Sequence, residues 1–288
     1  MGATEELTLM VVHAHPDDEA SSTGGILARY SAEGVRTVLV TCTDGAQGDA
    51  PGGLKPDDDG HDEREVVDLR IEELRRSCEV LGVRHLELLG YPDSGMMGWP
   101  SNDAPGSFWT TPIEPVARRL VGLFERYRPQ VVVTYDPTGF YGHPDHIQTH
   151  RVTAAAFEAS QIPRKLYCPT IPRSRFAEFG RVLAEAGLDI GPDRSGDGDG
   201  DGDGDGASED PGVFTSDDDD IAAVIDCTPY ADRKLEALGA HKSQADNVFF
   251  LRLPPEVFRQ FFGIESFVRW WDRTGHPVPE SDLFAGFR

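Results

Sequence analysis

The stretch Val12-His13-Ala14-His15-Pro16-Asp17-Asp18-Glu19 closes an apolar run, Leu7 to Val12, that reads as a buried strand. Two histidines and three acids at a strand tip are unusual, because ionised groups leaving a buried strand need a partner. A divalent cation is the simplest one. His15 offers a nitrogen and Asp18 an oxygen, and zinc accepts both. Asp17, between them in sequence, is then free to act as a base on the attacking water.

Outward from this corner, strand and helix alternate. A helix is expected over about Ser22–Glu33, then a strand over Val35–Cys42. A Gly-, Asp- and Pro-rich loop leads to an amphipathic helix, Glu63–Leu81, and a strand, His85–Leu89. The pattern repeats with a helix at Pro115–Tyr127 and a strand at Gln130–Tyr135. A helix at His146–Ser160 and a strand at Lys165–Cys168 follow. This order predicts an α/β fold: a Rossmann-like, mostly parallel sheet with helices on both faces. Ligands of such sheets bind outside the carboxyl ends of the strands. His15–Glu19 and Asp136–His146 both stand at such ends, so the two loops can meet over one crevice.

Beyond residue 168 the reading is a strand at Ile221–Cys227, a helix at Tyr230–His241, strands at Val248–Leu253 and Ser266–Trp271, and a short helix at Glu256–Phe262. Residues 1–288 are expected to form a single α/β domain. Residues 195–220 are expected to be a disordered, acidic Asp/Gly-rich insertion, because low hydrophobicity and high charge cannot offset the entropy of ordering. The Asp-Gly repeat lacks the closing Glu of a calcium-binding EF-hand loop.

The net charge of −23 argues against nucleic acid or an anionic membrane as a partner. No apolar stretch approaches the length of a membrane span, and Met1–Glu6 does not resemble a signal peptide, so the expected location is cytoplasmic. Cys42, Cys78, Cys168 and Cys227 are scattered and read as small core residues rather than disulfide partners. The sequence leaves a homo-oligomer open.

The second polar loop reads Tyr141-Gly142-His143-Pro144-Asp145-His146, with His150 one helical turn on. Catalytic zinc commonly takes three protein ligands and keeps one position open. His15, Asp18 and one histidine of this loop complete such a set. His146 and His150 are four apart on the expected helix, and spacing does not choose between them. A lone histidine at a helix start is usually a cap. Two His-Pro-Asp segments at two strand ends are better explained by a metal site.

These residues resemble the PIG-L/LmbE family of zinc-dependent N-acetylglucosaminyl deacetylases, which includes actinobacterial enzymes of mycothiol metabolism. The family's A-H-P-D-D-E stands at Ala14–Glu19 and its H-P-D-H at His143–His146. The likeness extends to Thr41–Gly45, Asp93–Met96 and Val131–Pro137 and thins after residue 160. It implies zinc ligands His15, Asp18 and His146, with Asp17 as general base. It implies that His143 stabilises the oxyanion or protonates the leaving amine, that Tyr141 helps polarise the carbonyl, and that Asp145 orients His143 or a ligand from behind. Arg70, Asp93 and Asp49 match places that contact the sugar. The implied substrate is a small N-acylated amino sugar. The bland readings are a surface ion pair of Arg70 with Glu73 or Glu65, and a turn role for Asp93.

An amidase acting on a mycothiol-type thiol conjugate is the nearest alternative. Such amidases carry a lysine where this chain has Ser22, which leans toward the deacetylase. A two-metal phosphoesterase needs more bridging carboxylates than the sequence places. A dinucleotide-binding module needs G-x-G-x-x-G after the first strand, where Asp17, Asp18 and Glu19 stand instead. An acidic binding protein working through the Asp-Gly insertion would not need either His-Pro-Asp motif.

Overall fold

The computed structural model describes residues 6–187, 215–244 and 248–288. The first half runs β1 (Thr8–His13), α1 (Asp18–Ala32), β2 (Arg36–Thr43), α2 (Glu63–Leu81), β3 (His85–Tyr91), α3 (Ile113–Tyr127) and β4 (Val131–Val133). A distorted turn, α4 (Gly139–Gly142), leads into α5 (Pro144–Ala159), β5 (Lys165–Pro172) and α6 (Arg173–Glu185). The remainder is β6 (Thr215–Ser216), β7 (Ala223–Asp226), α7 (Ala231–Leu238), α8 (Val248–Arg252), α9 (Pro255–Phe262) and β8 (Ile264–Asp272).

The strand order is β3-β2-β1-β4-β5-β8-β7, with β6 pairing the end of β5. From β3 to β5 every pairing is parallel, and β8 runs antiparallel to both β5 and β7. Every residue of β1 is buried, and its side chains alternate between two cores. Leu9 and Val11 pack with Ile26, Leu27 and Tyr30 of α1 and Leu74 of α2. Met10 and Val12 pack with Leu120 and Phe124 of α3 and Val152 and Phe157 of α5. Burial on both faces accounts for the unbroken apolar run, each such side chain contributing about 1.5–3 kcal/mol.

The chain order reverses between β1 and β4. The loops leaving these neighbouring strands therefore diverge and open a crevice at the carboxyl edge. Both His-Pro-Asp motifs lie there.

Four local expectations change. α1 starts at Asp18 rather than Ser22, placing Asp18 and Glu19 in the first turn, where the helix dipole favours acids. α5 starts at Pro144, a favoured first helical residue, with His143 as its cap. Val248–Arg252 is a helix, not a strand. A short apolar run has no decisive period, and here Phe249 and Phe250 turn onto Phe179 and Phe262. Helix α6 had no expectation. Of the expected insertion, residues 195–214 lie outside the described residues. Thr215–Ser216 joins the sheet beside β5, and Asp218 accepts bonds from the Ser174 N–H and hydroxyl.

Candidate metal centre and active site

His15 leaves the end of β1, Asp18 opens α1, and His146 sits in the first turn of α5. Their side chains converge. His15 Nδ1 lies 3.4 Å from Asp18 Oδ2 and 3.3 Å from His146 Nε2. His146 Nε2 is 3.4 Å from Asp18 Oδ1. Ligands bound tetrahedrally to one zinc ion at about 2.0–2.1 Å stand roughly 3.3–3.4 Å apart.

The proton positions follow from the surrounding acceptors. His146 Nδ1 lies 3.1 Å from the carbonyl oxygen of Gly139, so Nδ1 carries the hydrogen and Nε2 a lone pair. His15 Nε2 lies 3.3 Å from Asp145 Oδ2 and 3.6 Å from Asp93 Oδ1, which in a neutral ring likewise leaves Nδ1 as a lone pair. Two lone pairs and a carboxylate facing one another repel unless a cation sits among them. The donor set, two imidazoles and a carboxylate with each ring anchored from behind, fits a divalent metal such as zinc.

Asp145 and Asp93 are themselves anchored. Ser94 N–H donates to Asp145 Oδ2 at 2.8 Å, and Gly95 N–H donates to Asp93 Oδ1 at 2.9 Å. His15, Asp93 and Asp145 form a second close group, on the other side of the His15 ring. Burial depresses the basicity of His15, but Asp93, Asp145 and Asp18 outweigh it and hold its pKa well above the ordinary histidine value, so without a cation Nδ1 also holds a proton, which a bound metal would displace. Burial pushes His146 down to about 4, so it is neutral at pH 7 and available as a donor. Burial acts to raise Asp18, yet His146 and His15 hold it well below the usual carboxylate range.

The sequence reading missed Tyr135, two residues past β4. Its hydroxyl donates to Asp18 Oδ2 at 2.5 Å and accepts the Ala14 N–H at 2.9 Å, while its ring stacks on His146 at 4.1 Å. His150 is turned away, with Nδ1 2.7 Å from the Tyr135 carbonyl, and His13 bonds Thr23.

A cleft of about 600 Å³ opens beside these residues. Asp17, Asp18, Tyr141 and His146 line it together with Phe176, Phe179, Phe249 and Phe262.

A family model described as PIG-L, GlcNAc-PI de-N-acetylase, matches residues 10–157, which hold both motifs and every residue placed above at the centre. Over 97% of this chain and 94% of its own length, a 1D-myo-inositol 2-acetamido-2-deoxy-alpha-D-glucopyranoside deacetylase of Acidothermus cellulolyticus is 41% identical. The chain belongs to the PIG-L family.

Two solved structures share the fold. An N,N'-diacetylchitobiose deacetylase from Pyrococcus horikoshii aligns with a TM-score of 0.58 and 20% identity, covering 96% of this chain and 88% of that one. A 4-carboxy-2-hydroxymuconate hydratase from Pseudomonas putida aligns with a TM-score of 0.55 and 16% identity, covering 95% and 100%. One fold thus carries two chemistries, and the side chains of the site must decide between them.

Asp17 stands at the cleft beside this PIG-L centre in a conformation unusual for a residue with a side chain, φ 113° and ψ −29°. Burial raises its pKa to about 7, Arg70 pulling it down and Asp18 pushing it up. His143 caps α5, its Nδ1 accepting the Asp145 N–H at 3.1 Å. A neutral His143 therefore carries its proton on Nε2. Burial, with His15 and His146 nearby, pushes its pKa well below the ordinary value. The Tyr141 ring lies 5.0 Å from that of His146.

Arg70 is buried and does not form the surface pair with Glu65 or Glu73. It donates to the carbonyls of Gly45 at 2.8 Å and Pro16 at 2.7 Å, with Asp17 Oδ2 at 3.3 Å. Asp93, also buried, lies 4.0 Å from Arg70 Nη1. Asp49 accepts from Lys55 at 2.9 and 3.0 Å.

Proposed function

We infer that this protein is a metal-dependent hydrolase that removes the acetyl group from an N-acetylated amino sugar. The 41% identity over nearly the whole chain favours 1D-myo-inositol 2-acetamido-2-deoxy-alpha-D-glucopyranoside as substrate. What carries the reading is the set of two lone-pair imidazole nitrogens and a carboxylate, 3.3–3.4 Å apart, with a second carboxylate, Asp17, beside it at the cleft.

His15, Asp18 and His146 would hold the cation, taken as zinc, which when bound supplies a Lewis acid for the amide carbonyl and the attacking water. Asp17 takes a proton from that water as its oxygen bonds to the carbonyl carbon. The neutral His143 offers its Nε2–H to the oxyanion, and Tyr141 adds its hydroxyl. The C–N bond then breaks, the proton held by Asp17 passes to the amine nitrogen, and acetate and a free amine remain. Arg70 and Asp93, and Asp49 more remotely, shape the sugar side. Asp145 keeps His15 in its ligating tautomer and, through its N–H, holds a neutral His143 with its proton on Nε2.

The phenylalanine wall favours one second reading, an amidase that accepts a thiol conjugate with a bulky apolar group. Four buried free cysteines fit a reducing compartment, so we place the reaction in the cytoplasm. Among the described residues no helix is long and apolar enough to cross a membrane.

The test is primary-amine release from the inositol glucosaminide and from thiol conjugates, side by side, with and without chelator. Faster release from the glucosaminide, abolished by chelator, is expected. Release from the conjugates alone would hand the assignment to the amidase.

A further inference from the structure

Asp17 is held in its unusual backbone conformation by backbone N–H groups of α1, by Arg70 and by Glu19. A non-glycine residue in that region costs on the order of 1–3 kcal/mol and persists only when its surroundings impose it. The carbonyl of Asp17 accepts the Ala20 and Ser21 N–H groups at 3.0 and 3.1 Å. The carbonyl before it, that of Pro16, accepts Arg70 Nη2. Its own N–H donates at 2.9 Å to Oε2 of Glu19.

Glu19 is fully buried. Its other oxygen, Oε1, accepts the Ser77 hydroxyl from α2 and lies 2.7 Å from Nε2 of His241, just past the end of α7. His241 is itself only 1% exposed and comes from 222 residues along the chain, outside the stretch matched by the family model. A carboxylate with no solvent contact is costly unless its lone pairs are satisfied. Here three donors satisfy it, and one of them is the backbone of Asp17.

We propose that Glu19 and His241 are positioning residues that fix the carboxylate of Asp17 in its proton-accepting geometry. The segment after α7 thereby contributes a part to the catalytic corner that neither His-Pro-Asp motif contains. The inference rests on Asp17 being the base. Without the Glu19 carboxylate, the Asp17 N–H loses its acceptor and the left-handed conformation relaxes. Without His241, the carboxylate loses its N–H donor and is free to swing off the Asp17 N–H.

The experiment uses the full chain with amine release as its readout. Glu19→Ala, which removes the acceptor, and His241→Ala should each lower kcat by roughly 10- to 100-fold, the scale of a displacement of about 1 Å. KM should move by less than about 2-fold, and the bound cation should stay at one per chain, because neither residue touches the ligands or the sugar side. His241→Gln, which keeps an N–H donor, should restore most of the rate. In an Asp17→Asn background the same substitutions should change kcat no further.

A merely structural role would lower the melting temperature and leave kcat per folded molecule intact, and that result would overturn the proposal. So would a full multiplicative loss in the Asp17→Asn background. If His241→Ala does not fold, Ser77→Ala removes one small donor to the same carboxylate, and a kcat unchanged in that variant would count equally against it. Near-normal turnover in Asp17→Asn alone would sink the base assignment and this pairing with it. An inactive Asp17→Asn beside fully active Glu19 and His241 variants would sink the pairing alone.

Discussion

Tyr135 bridges the two halves of the centre: its hydroxyl lies between Asp18 and the Ala14 N–H while its ring covers His146. Tyr135→Phe keeps the ring and deletes the hydroxyl. Groups that orient metal ligands typically account for 10- to 100-fold in affinity, so zinc binding should weaken by about that factor in a folded protein. Competition with a chromophoric chelator measures it, and an unchanged affinity would contradict the role given to the hydroxyl. His15, Asp18 and His143 stood out in sequence because they crowd into two short motifs at strand ends, whereas the choice of His146 over His150 came only from the family resemblance. Tyr135 did not stand out, since an aromatic residue after a run of valines looks like one more buried strand residue. Arg70 was named for the sugar, yet its guanidinium holds the backbone under Asp17. Its 54-residue reach to that backbone leaves no mark on local spacing.

At the scale of elements, α4 and its entry decide where His146 points. Gly139 sits at φ +69°, and its carbonyl holds His146 Nδ1. A Cβ there would lie 2.8 Å from the Ile147 backbone nitrogen and 3.0 Å from His146 Cβ. Backbone cannot yield as a flexible side chain can. Gly139→Ala should therefore shift the His146 ring and lower cation affinity, with a smaller fall in melting temperature than a core truncation causes. Parallel calorimetric titration and thermal melts check this, and wild-type cation affinity would argue against it. The alternation of strands and helices up to β5 was readable because both cores demand apolar periodicity there. Helix α8 was harder, because Val248–Leu253, five apolar residues and an arginine before a proline, fits a strand or a buried helix turn equally well.

For the molecule as a whole, the C-terminal residues return to α1. Asp282 accepts the Tyr30 hydroxyl at 2.9 Å, the Phe284 N–H at 3.0 Å and Arg288 Nε at 2.7 Å. Burial acts to raise its pKa, but Arg288, the Phe284 N–H and Tyr30 outweigh this and lower it below 3.8. A carboxylate lowered in the folded state contributes stability above its unfolded pKa and loses it as pH falls through the folded value. Asp282→Asn should thus cost about 1–2 kcal/mol at pH 7. The gap between variant and wild type should close as pH falls from 3.8 downward; paired melts across that range test it, and a gap independent of pH would show that charge is not the cause. None of this was visible in sequence, since partners 252 residues apart share no local pattern.

The central claim is that one cation, held by His15, Asp18 and His146, is required for amine release. The most direct measurement titrates zinc into chelator-stripped protein and follows that release, for the wild type and for His146→Ala. Wild-type activity should rise from nothing to its plateau at one equivalent, while His146→Ala stays inactive at the same loading. Full activity in the stripped protein, or a His146→Ala titration that overlays the wild type, would contradict that claim.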